Sequence, residues 1–153
     1  MSTVQSILDR KGKQVHSIGE DQTVLAAASA MNAHRIGALV VTRGDVVVGI
    51  FTERDILNRV VAARRDPERT LVREVMSSPV ACCAPETTRD ECRAVMRARR
   101  IRHLPVVHEG RLVGIVSIGD VLETADAEQA ATIQHLYEYM YVDWSSTGGA
   151  AGA

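Results

Sequence analysis

The amino-acid sequence contains an internal repeat, which is found when the chain is compared with itself at a shift of about 65 residues. No gap is needed between Thr23 and Leu57. Chance could match some apolar positions, but it would not readily place glycine and aspartate in register as well. The repeat therefore predicts a duplicated fold. The matching positions are Thr23 and Thr88, Met31 and Met96, Ile36 and Ile101, Leu39 and Leu104, Val41 and Val106, Gly49 and Gly114, Thr52 and Ser117, Asp55 and Asp120, and Leu57 and Leu122.

Each copy has the same order of predicted elements, namely strand, helix, strand, turn, strand and helix. Such βαββα units predict an α/β fold with small sheets covered on one face by helices. A unit of about 60 residues leaves much of its surface in water, so we expect the two units to pack sheet to sheet with pseudo-twofold symmetry. The predicted elements are residues 15–18, 23–34, 38–42, 46–51 and a helix from Thr52, and then 80–83, 88–99, 103–107, 112–116 and a helix from about Ile118.

The remaining segments flank and join the two repeats. We expect a short N-terminal helix near residues 4–8, and a C-terminal amphipathic helix with Ile133, Leu136, Tyr137 and Met140 on one side. The Ser-, Thr-, Gly- and Ala-rich end is expected to be disordered. The predicted divisions are 1–14 (N-terminal helix and lead-in), 15–63 (first repeat), 64–78 (linker), 79–126 (second repeat), 127–144 (C-terminal helix) and 145–153 (tail).

Composition argues against several classes of function. The net charge is −1 and aromatic residues are 3% of the 153 residues, which disfavours a nucleic-acid binder. The sequence carries neither a signal-peptide pattern nor an apolar run of membrane-spanning length, so we expect a cytoplasmic protein that does not enter the membrane. The three cysteines and five histidines have no metal-ligand spacing, so no metal is expected.

A hydroxyl residue and a carboxylate recur three residues apart at the end of the last strand of each repeat. They are Thr52 and Asp55 in GIFTERD, and Ser117 and Asp120 in GIVSIGD. At a helix start, such a pair suits a sugar phosphate, because free N–H groups attract an anion and a carboxylate accepts hydrogen bonds from vicinal hydroxyls. The same spacing is also a plain helix-capping pattern. Both interpretations stay open at this point.

The sequence resembles a tandem pair of cystathionine-beta-synthase (CBS) domains, also called a Bateman module. The residues that carry the resemblance are 23–57, with GIFTERDIL, and 88–122, with RIRHLPVV and GIVSIGDVL. The resemblance implies binding of AMP, ADP, ATP, NAD or S-adenosylmethionine in clefts between the paired sheets. It also implies regulation of an unknown partner protein and association into a homodimer.

The resemblance also implies which residues contact the ligand. In the first repeat Gly37, Ala38 and Val40 stand where the second has Arg102, His103 and Pro105, so the two clefts are expected to differ. We expect the stronger phosphate site to combine residues of both repeats, and backbone groups near Val15 and Val80 to contact the adenine edge. The implied residues are Asp55 and Asp120 for ribose, Thr52 and Ser117 for the phosphate side, and Arg102 and His103 for phosphate. Arg54 is a candidate for a further charge and fits a solvated surface residue equally well.

Two other functions compete with nucleotide sensing. An enzyme is disfavoured because common catalytic motifs are absent and because duplication would place Asp55 and Asp120 in separate clefts. A protein-interaction or dimerisation module without a nucleotide is the main alternative, with the aromatic residues of the C-terminal segment as a contact surface. They are Tyr137, Tyr139, Tyr141 and Trp144.

Overall fold

The computed structural model describes residues 2–122, and both repeats are recognisable in it. The predicted C-terminal helix and tail lie outside the described residues. Within residues 2–122, no helix combines the length and apolar character that a bilayer span requires. The elements in chain order are α1 (Val4–Lys11), β1 (Ser17–Gly19), α2 (Val24–His34), β2 (Ala38–Arg43), β3 (Val46–Thr52), α3 (Glu53–Asp55), a π-helix (Ile56–Val61), α4 (Val72–Val75), α5 (Arg89–Arg99), β4 (His103–His108), β5 (Arg111–Ser117) and α6 (Ile118–Leu122).

The first repeat forms a three-stranded sheet in the order β1-β2-β3. Strand β1 runs parallel to β2, and β2 runs antiparallel to β3. Thr23 begins α2 as predicted, because its side chain accepts a hydrogen bond from the backbone N–H of Ala26 at 3.1 Å. Gly44 turns the β2–β3 hairpin with a φ of 60°, a backbone region that favours glycine.

The second repeat has the same hairpin, but the segment that corresponds to β1 does not form a full strand beside it. Strands β4 and β5 pair antiparallel as a two-stranded sheet. The run predicted as a strand at residues 80–83 forms one parallel bridge, between Cys83 and Val106. The next ladder bonds on either side of this bridge would need N–H groups from residues 85 and 105, and both are proline, which accounts for the short contact.

Each repeat is completed by a segment that lies outside its own βαββα sequence. The N-terminal helix α1 buries Val4, Ile7 and Leu8 in the core of the second repeat. The short helix α4 buries Val72 and Val75 in the core of the first. The sequence predicts residues 64–78 only as a linker. The structure shows in addition that this segment contains the helix α4 and that α4 packs into the core of the first repeat. The helix predicted from residue 4 is confirmed and extends to residue 11.

The two repeats contact each other through the last strands of their hairpins, β3 and β5. The predicted fold class is confirmed: two α/β repeats with helices on their sheets and a helical flank before the first repeat. The helix predicted to begin at Thr52 differs in detail, because α3 continues as a π-helix rather than as an α-helix. This arrangement brings the end of β3 next to the second repeat.

Candidate functional site

Asp55 is a buried carboxylate at the junction of β3 and α3, with only 6% of its surface exposed. Its Oδ2 accepts hydrogen bonds from the backbone N–H of Thr52 at 3.0 Å and from the Thr52 hydroxyl at 3.2 Å. The backbone N–H of Asp55 donates to Thr52 Oγ1 at 3.3 Å. The pair is therefore a reciprocal helix cap, as the capping alternative predicts, and this cap also fixes where the carboxylate points.

The other carboxylate oxygen of Asp55 is held by the linker segment. Ser77 Oγ donates to Asp55 Oδ1 at 3.0 Å, and Arg59 Nε lies 3.9 Å from the same oxygen. The guanidinium of Arg59 is itself fixed, because Nη1 donates to the backbone oxygen of Met76 at 2.7 Å. Ser77 pairs with Ile50 of β3 through two backbone hydrogen bonds of 2.9 and 3.1 Å. A fixed polar cluster therefore surrounds the Asp55 carboxylate.

A cavity of about 680 Å³ lies beside Asp55 and is lined by both repeats. This volume is within the ~300–1,000 Å³ range of small-molecule sites. From the first repeat and linker it is lined by Gly37, Ile50, Thr52, Glu53, Arg54, Asp55, Asn58, Arg59 and Ser77. From the second repeat and its lead-in it is lined by Pro79, Val80, Ala81, Arg99, Arg100, Ile101, Arg102 and His103.

The lining of the cavity has a cationic part and an apolar part. Arginine guanidinium groups suit phosphate, because they offer several donors in a planar fork. The apolar residues offer a surface on which a flat ring can pack. Among the described lining residues, the cations are Arg54, Arg59, Arg99, Arg100 and Arg102, the acids are Glu53 and Asp55, and the apolar side chains are Ile50, Pro79, Val80, Ala81 and Ile101.

His103 is a partly buried histidine at the start of β4. Burial lowers the pKa of His103, and the nearby cations Lys11 and Arg102 lower it further, while the acids Asp120 and Glu53 oppose them. The neutral imidazole is therefore favoured at pH 7. A neutral ring can still donate one hydrogen bond to a phosphate oxygen, and an anion placed beside it would favour its protonation.

The lowered pKa of His103 predicts a loss of stability in mild acid. Because the folded-state pKa lies below the unfolded value of about 6.5, the unfolded chain binds the proton more readily as the pH falls through that value. We expect the melting temperature of the wild type to fall between about pH 7.5 and 5.5, and His103→Gln to reduce that fall. Thermal melts in ligand-free buffer measure both.

His108→Gln serves as the control, because His108 lies at the exposed end of β4 and 52% of its side chain is accessible. It should leave the acid loss unchanged. If His103→Gln and His108→Gln melted in parallel at every pH, the burial of a neutral His103 would be contradicted.

The second hydroxyl–acid pair repeats the cap but has a different neighbour. The backbone N–H of Ser117 donates to Asp120 Oδ2 at 2.8 Å, and the N–H of Asp120 donates to Ser117 Oγ at 3.2 Å. Lys11 Nζ, at the end of α1, also donates to Asp120 Oδ2, at 2.7 Å. Ser117, Asp120 and Val15 are not among the residues that line the 680 Å³ cavity.

Six of the nine predicted site residues therefore border one cavity, and sequence reasoning missed several of their neighbours. Thr52, Arg54 and Asp55 face Val80, Arg102 and His103 there. The missed residues are Asn58, Arg59 and Ser77. Arg99 and Arg100 also line the cavity; they belong to a run of arginines at the end of α5 whose sequence fits a solvated helix end and attraction of an anion toward the cleft equally well. Ser77 gave no signal, because its contact depends on how the linker folds back.

Histidines and cysteines in the described part of the chain do not form a metal centre. Among residues 2–122, no group of three or more potential ligands lies close enough together to hold an ion. His16 and His34 do stack, with ring centroids 3.9 Å apart, although their spacing in the sequence gives no sign of this contact. Parallel rings direct their nitrogen lone pairs side by side rather than toward a common point.

Comparisons with known proteins agree on one family. The family model described as "CBS domain" matches residues 6–62 and 72–126. A CBS domain-containing protein of Bacillus subtilis, YhcV, is 35% identical over 128 residues, covering 84% of this chain and 91% of that protein. The crystal structure of a CBS-domain containing protein from Agrobacterium tumefaciens has a TM-score of 0.74 and 43% identity, covering 79% of this chain and 91% of that one.

Two other solved structures carry additional features in their descriptions. Hypoxic Response Protein I, described with two coordinated zinc ions, has a TM-score of 0.69 and 34% identity, and covers 79% of this chain and 97% of that one. A hexameric CBS-CP12 protein from bloom-forming cyanobacteria has a TM-score of 0.71 and 28% identity, and covers 90% of this chain and 84% of that one. Metal binding and assembly are thus features of similar proteins.

Proposed function

Because the chain belongs to the family of proteins with tandem CBS domains, we propose that it is a regulatory module that binds an adenine nucleotide such as AMP without turning it over. The observation that carries this proposal is the cavity beside Asp55. A buried carboxylate and a hydroxyl from one repeat face a cationic wall from the other, next to an apolar surface. An adenine nucleotide needs these three kinds of contact.

Each part of a nucleotide has a matching group. The ribose hydroxyls donate to Asp55, whose orientation is fixed by Thr52 and Ser77. The phosphate accepts hydrogen bonds from Arg102 and His103, with Arg54 as a further cation. The adenine ring packs against the apolar wall around Val80, where backbone groups can contact its edge. ADP, ATP, NAD and S-adenosylmethionine share the adenosine part and are the other candidate ligands.

Ligand binding would affect the relation between the two repeats. Asp55 belongs to the first repeat and Arg102 to the second, so a nucleotide that contacts both favours one arrangement of them. A partner protein that binds one arrangement more tightly would then sense the nucleotide. The chemistry needed for this role is binding alone, which fits relatives described by their CBS domains only.

Replacing Arg102 by alanine is expected to weaken AMP binding by roughly ten- to a hundredfold, because a hydrogen bond to a charged group contributes about 1.5–3 kcal/mol. Isothermal titration calorimetry of wild type and variant measures the change. Arg102 is exposed at the lead-in to β4, so the fold should tolerate the substitution.

Arg69→Ala is the matched control, since 89% of the Arg69 side chain is accessible and Arg69 does not line the cavity. It should bind AMP like the wild type. Equal affinities of the wild type and Arg102→Ala would reject the role of Arg102. If none of the adenosine compounds raised the melting temperature of the wild type, the interaction-only alternative would replace nucleotide sensing.

We also propose that the chain associates with a second copy of itself. Two large apolar side chains on the π-helix are exposed: Leu57 at 61% and Val61 at 64%. They lie four residues apart and so share one side of the helix. A solved relative is described as hexameric, which supports self-association in proteins of this fold. A homodimer would remove this apolar side from water.

Replacing both Leu57 and Val61 by glutamate is expected to halve the particle mass measured by light scattering after size-exclusion chromatography. Charged side chains at an apolar contact must be desolvated, which disfavours association. Val46→Glu is the control, because Val46 is 59% exposed at the start of β3, outside the π-helix. A wild type that runs as a monomer, or a double variant that stays a dimer, would contradict the proposal.

A further inference from the structure

We propose that Lys11 keeps the second predicted site closed to nucleotides, so that each chain binds one nucleotide, in the cavity beside Asp55. The second site is the one around Ser117 and Asp120, the repeat-related copy of Thr52 and Asp55. This inference rests on the proposed function. It specifies how many nucleotides each chain binds and names Lys11 as the residue that determines this number.

Lys11 pairs with one oxygen, Oδ2, of the carboxylate that a ribose would need in the second site. Its Nζ donates to Asp120 Oδ2 at 2.7 Å and to the backbone oxygen of Ile115 at 3.0 Å. Burial alone would raise the pKa of Asp120, but the hydrogen bonds from Lys11 and from the Ser117 backbone outweigh it and lower that pKa. Asp120 is therefore an ionised group that already has a cationic partner.

The matching carboxylate in the first repeat has no such direct bond to a cation: Arg59 Nε lies 3.9 Å from Asp55 Oδ1, and Arg59 Nη1 donates instead to the backbone oxygen of Met76. Ser77 Oγ donates to Asp55 Oδ1 at 3.0 Å, and a hydroxyl can turn away to let a ribose hydroxyl take its place. A lysine that leaves Asp120 must give up a charge-assisted bond, and it leaves a carboxylate whose side chain is only 17% accessible. A ribose therefore displaces Ser77 more easily than Lys11.

Lys11 is also held firmly in place by its helix. Residues Val4, Ile7 and Leu8 of α1 are at most 1% exposed in the core of the second repeat. Leu8 fits against Gly114 so closely that a Cβ there would lie 2.7 Å from Leu8 Cδ2. The backbone N–H of Val4 donates to the oxygen of Thr87 at 2.8 Å. These contacts fix the end of α1 beside Asp120, so pairing requires little ordering of the chain.

The second site has fewer cations from the facing repeat than the first cavity, but it keeps one. At the shift of about 65 residues, Gly37 and Ala38 correspond to Arg102 and His103 and His34 corresponds to Arg99, whereas Arg35 corresponds to Arg100. The ring of His34 stacks on His16 rather than standing alone. With the Lys11 charge already paired, a phosphate finds fewer donors in the second site than in the first.

The test is calorimetric titration of AMP into the wild type and into Lys11→Met, which keeps the length of the side chain but removes its charge. We expect one AMP per chain for the wild type and two for the variant, with the affinity of the added site rising about tenfold or more. Lys13→Met is the matched control, since Lys13 is an exposed lysine two residues further on. It should bind one AMP.

A second variant keeps the test decisive if the loss of Lys11 affects folding. Lys11→Gln retains a hydrogen-bond donor without the charge, and it should also bind two AMP. Adding Arg102→Ala to Lys11→Met should weaken one of the two sites and leave the other. Two AMP bound to the wild type, or one bound to both Lys11 variants, would overturn the inference while leaving the proposed function intact. No binding to the wild type or to either Lys11 variant would overturn both.

Discussion

Asp55→Asn is expected to lower the affinity for AMP by roughly a hundredfold or more, because the ribose loses hydrogen bonds to an ionised carboxylate. Asparagine has nearly the same shape as aspartate, but it offers one acceptor oxygen where aspartate offers two. Thr52 and Ser77 already donate to the two oxygens of Asp55, so the amide leaves at least one of these donors without an acceptor. Equilibrium dialysis with labelled AMP measures the loss over this range of affinities.

Asp45→Asn removes the same charge at an exposed position in the β2–β3 turn and is the control for net charge. It should bind AMP as the wild type does. Circular dichroism melts of both variants show whether the loss of binding follows from unfolding. An Asp55→Asn protein that is folded and binds AMP with unchanged affinity would remove the ribose contact from the account.

Gly49→Ala is expected to destabilise the protein by about 2–3 kcal/mol and to weaken AMP binding at the same time. A Cβ on Gly49 would lie 2.6 Å from Met76 Sδ and 2.9 Å from the backbone oxygen of Ser77. The backbone of the linker would have to move away from β3. Because Ser77 also holds Asp55, this movement would disturb the carboxylate that contacts the ribose.

Gly114→Ala is the repeat-related control for this steric effect. The added Cβ would meet only the end of the Leu8 side chain, at 2.7 and 2.9 Å, which can shift more easily than backbone. We expect a smaller cost of about 1 kcal/mol and unchanged AMP binding. Replacing glycine by alanine restricts the unfolded chain equally at both positions. The difference in unfolding free energy between the two variants therefore measures the cost of the steric clash at residue 49. Equal unfolding free energies in chemical denaturation would contradict this explanation.

The duplicated fold could be predicted from the sequence because its signals are local and occur twice. Thr23 and Thr88 cap α2 and α5, as helix-start patterns predict. Alternating apolar residues and the Gly44 turn predict the first hairpin. The internal repeat, at a spacing of about 65 residues, predicts the same hairpin in the second half of the chain. Each of these features depends on neighbouring residues only.

The contacts that complete each repeat could not be predicted, because they join segments far apart in the chain. Lys11 and Asp120 are 109 residues apart, and the segment that contains Ser77 was predicted only as a linker. Nothing in the local pattern of residues 64–78 indicates that they would pair with Ile50. The π-helix after Asp55 also has no distinct periodic signal, since its apolar residues fit an α-helical pattern equally well.

The candidate site lies between these two cases. The hydroxyl and acid at Thr52 and Asp55 could be found from their spacing, but that spacing alone also fits a helix cap, and the structure contains the cap. What separates Asp55 from an ordinary cap is its position on a cavity opposite Arg102 and His103. That position depends on how the two repeats pack. The family resemblance predicted that Asp55 would lie opposite Arg102 and His103, whereas the hydroxyl–acid motif alone did not.

A crystal structure of the protein with AMP tests the central claim most directly, because it locates the ligand atom by atom. The account predicts ribose hydroxyls within about 3 Å of the Asp55 carboxylate and phosphate oxygens within hydrogen-bond distance of Arg102 and His103. Nucleotide density anywhere else on the chain, or none between the repeats at saturating AMP, would contradict it.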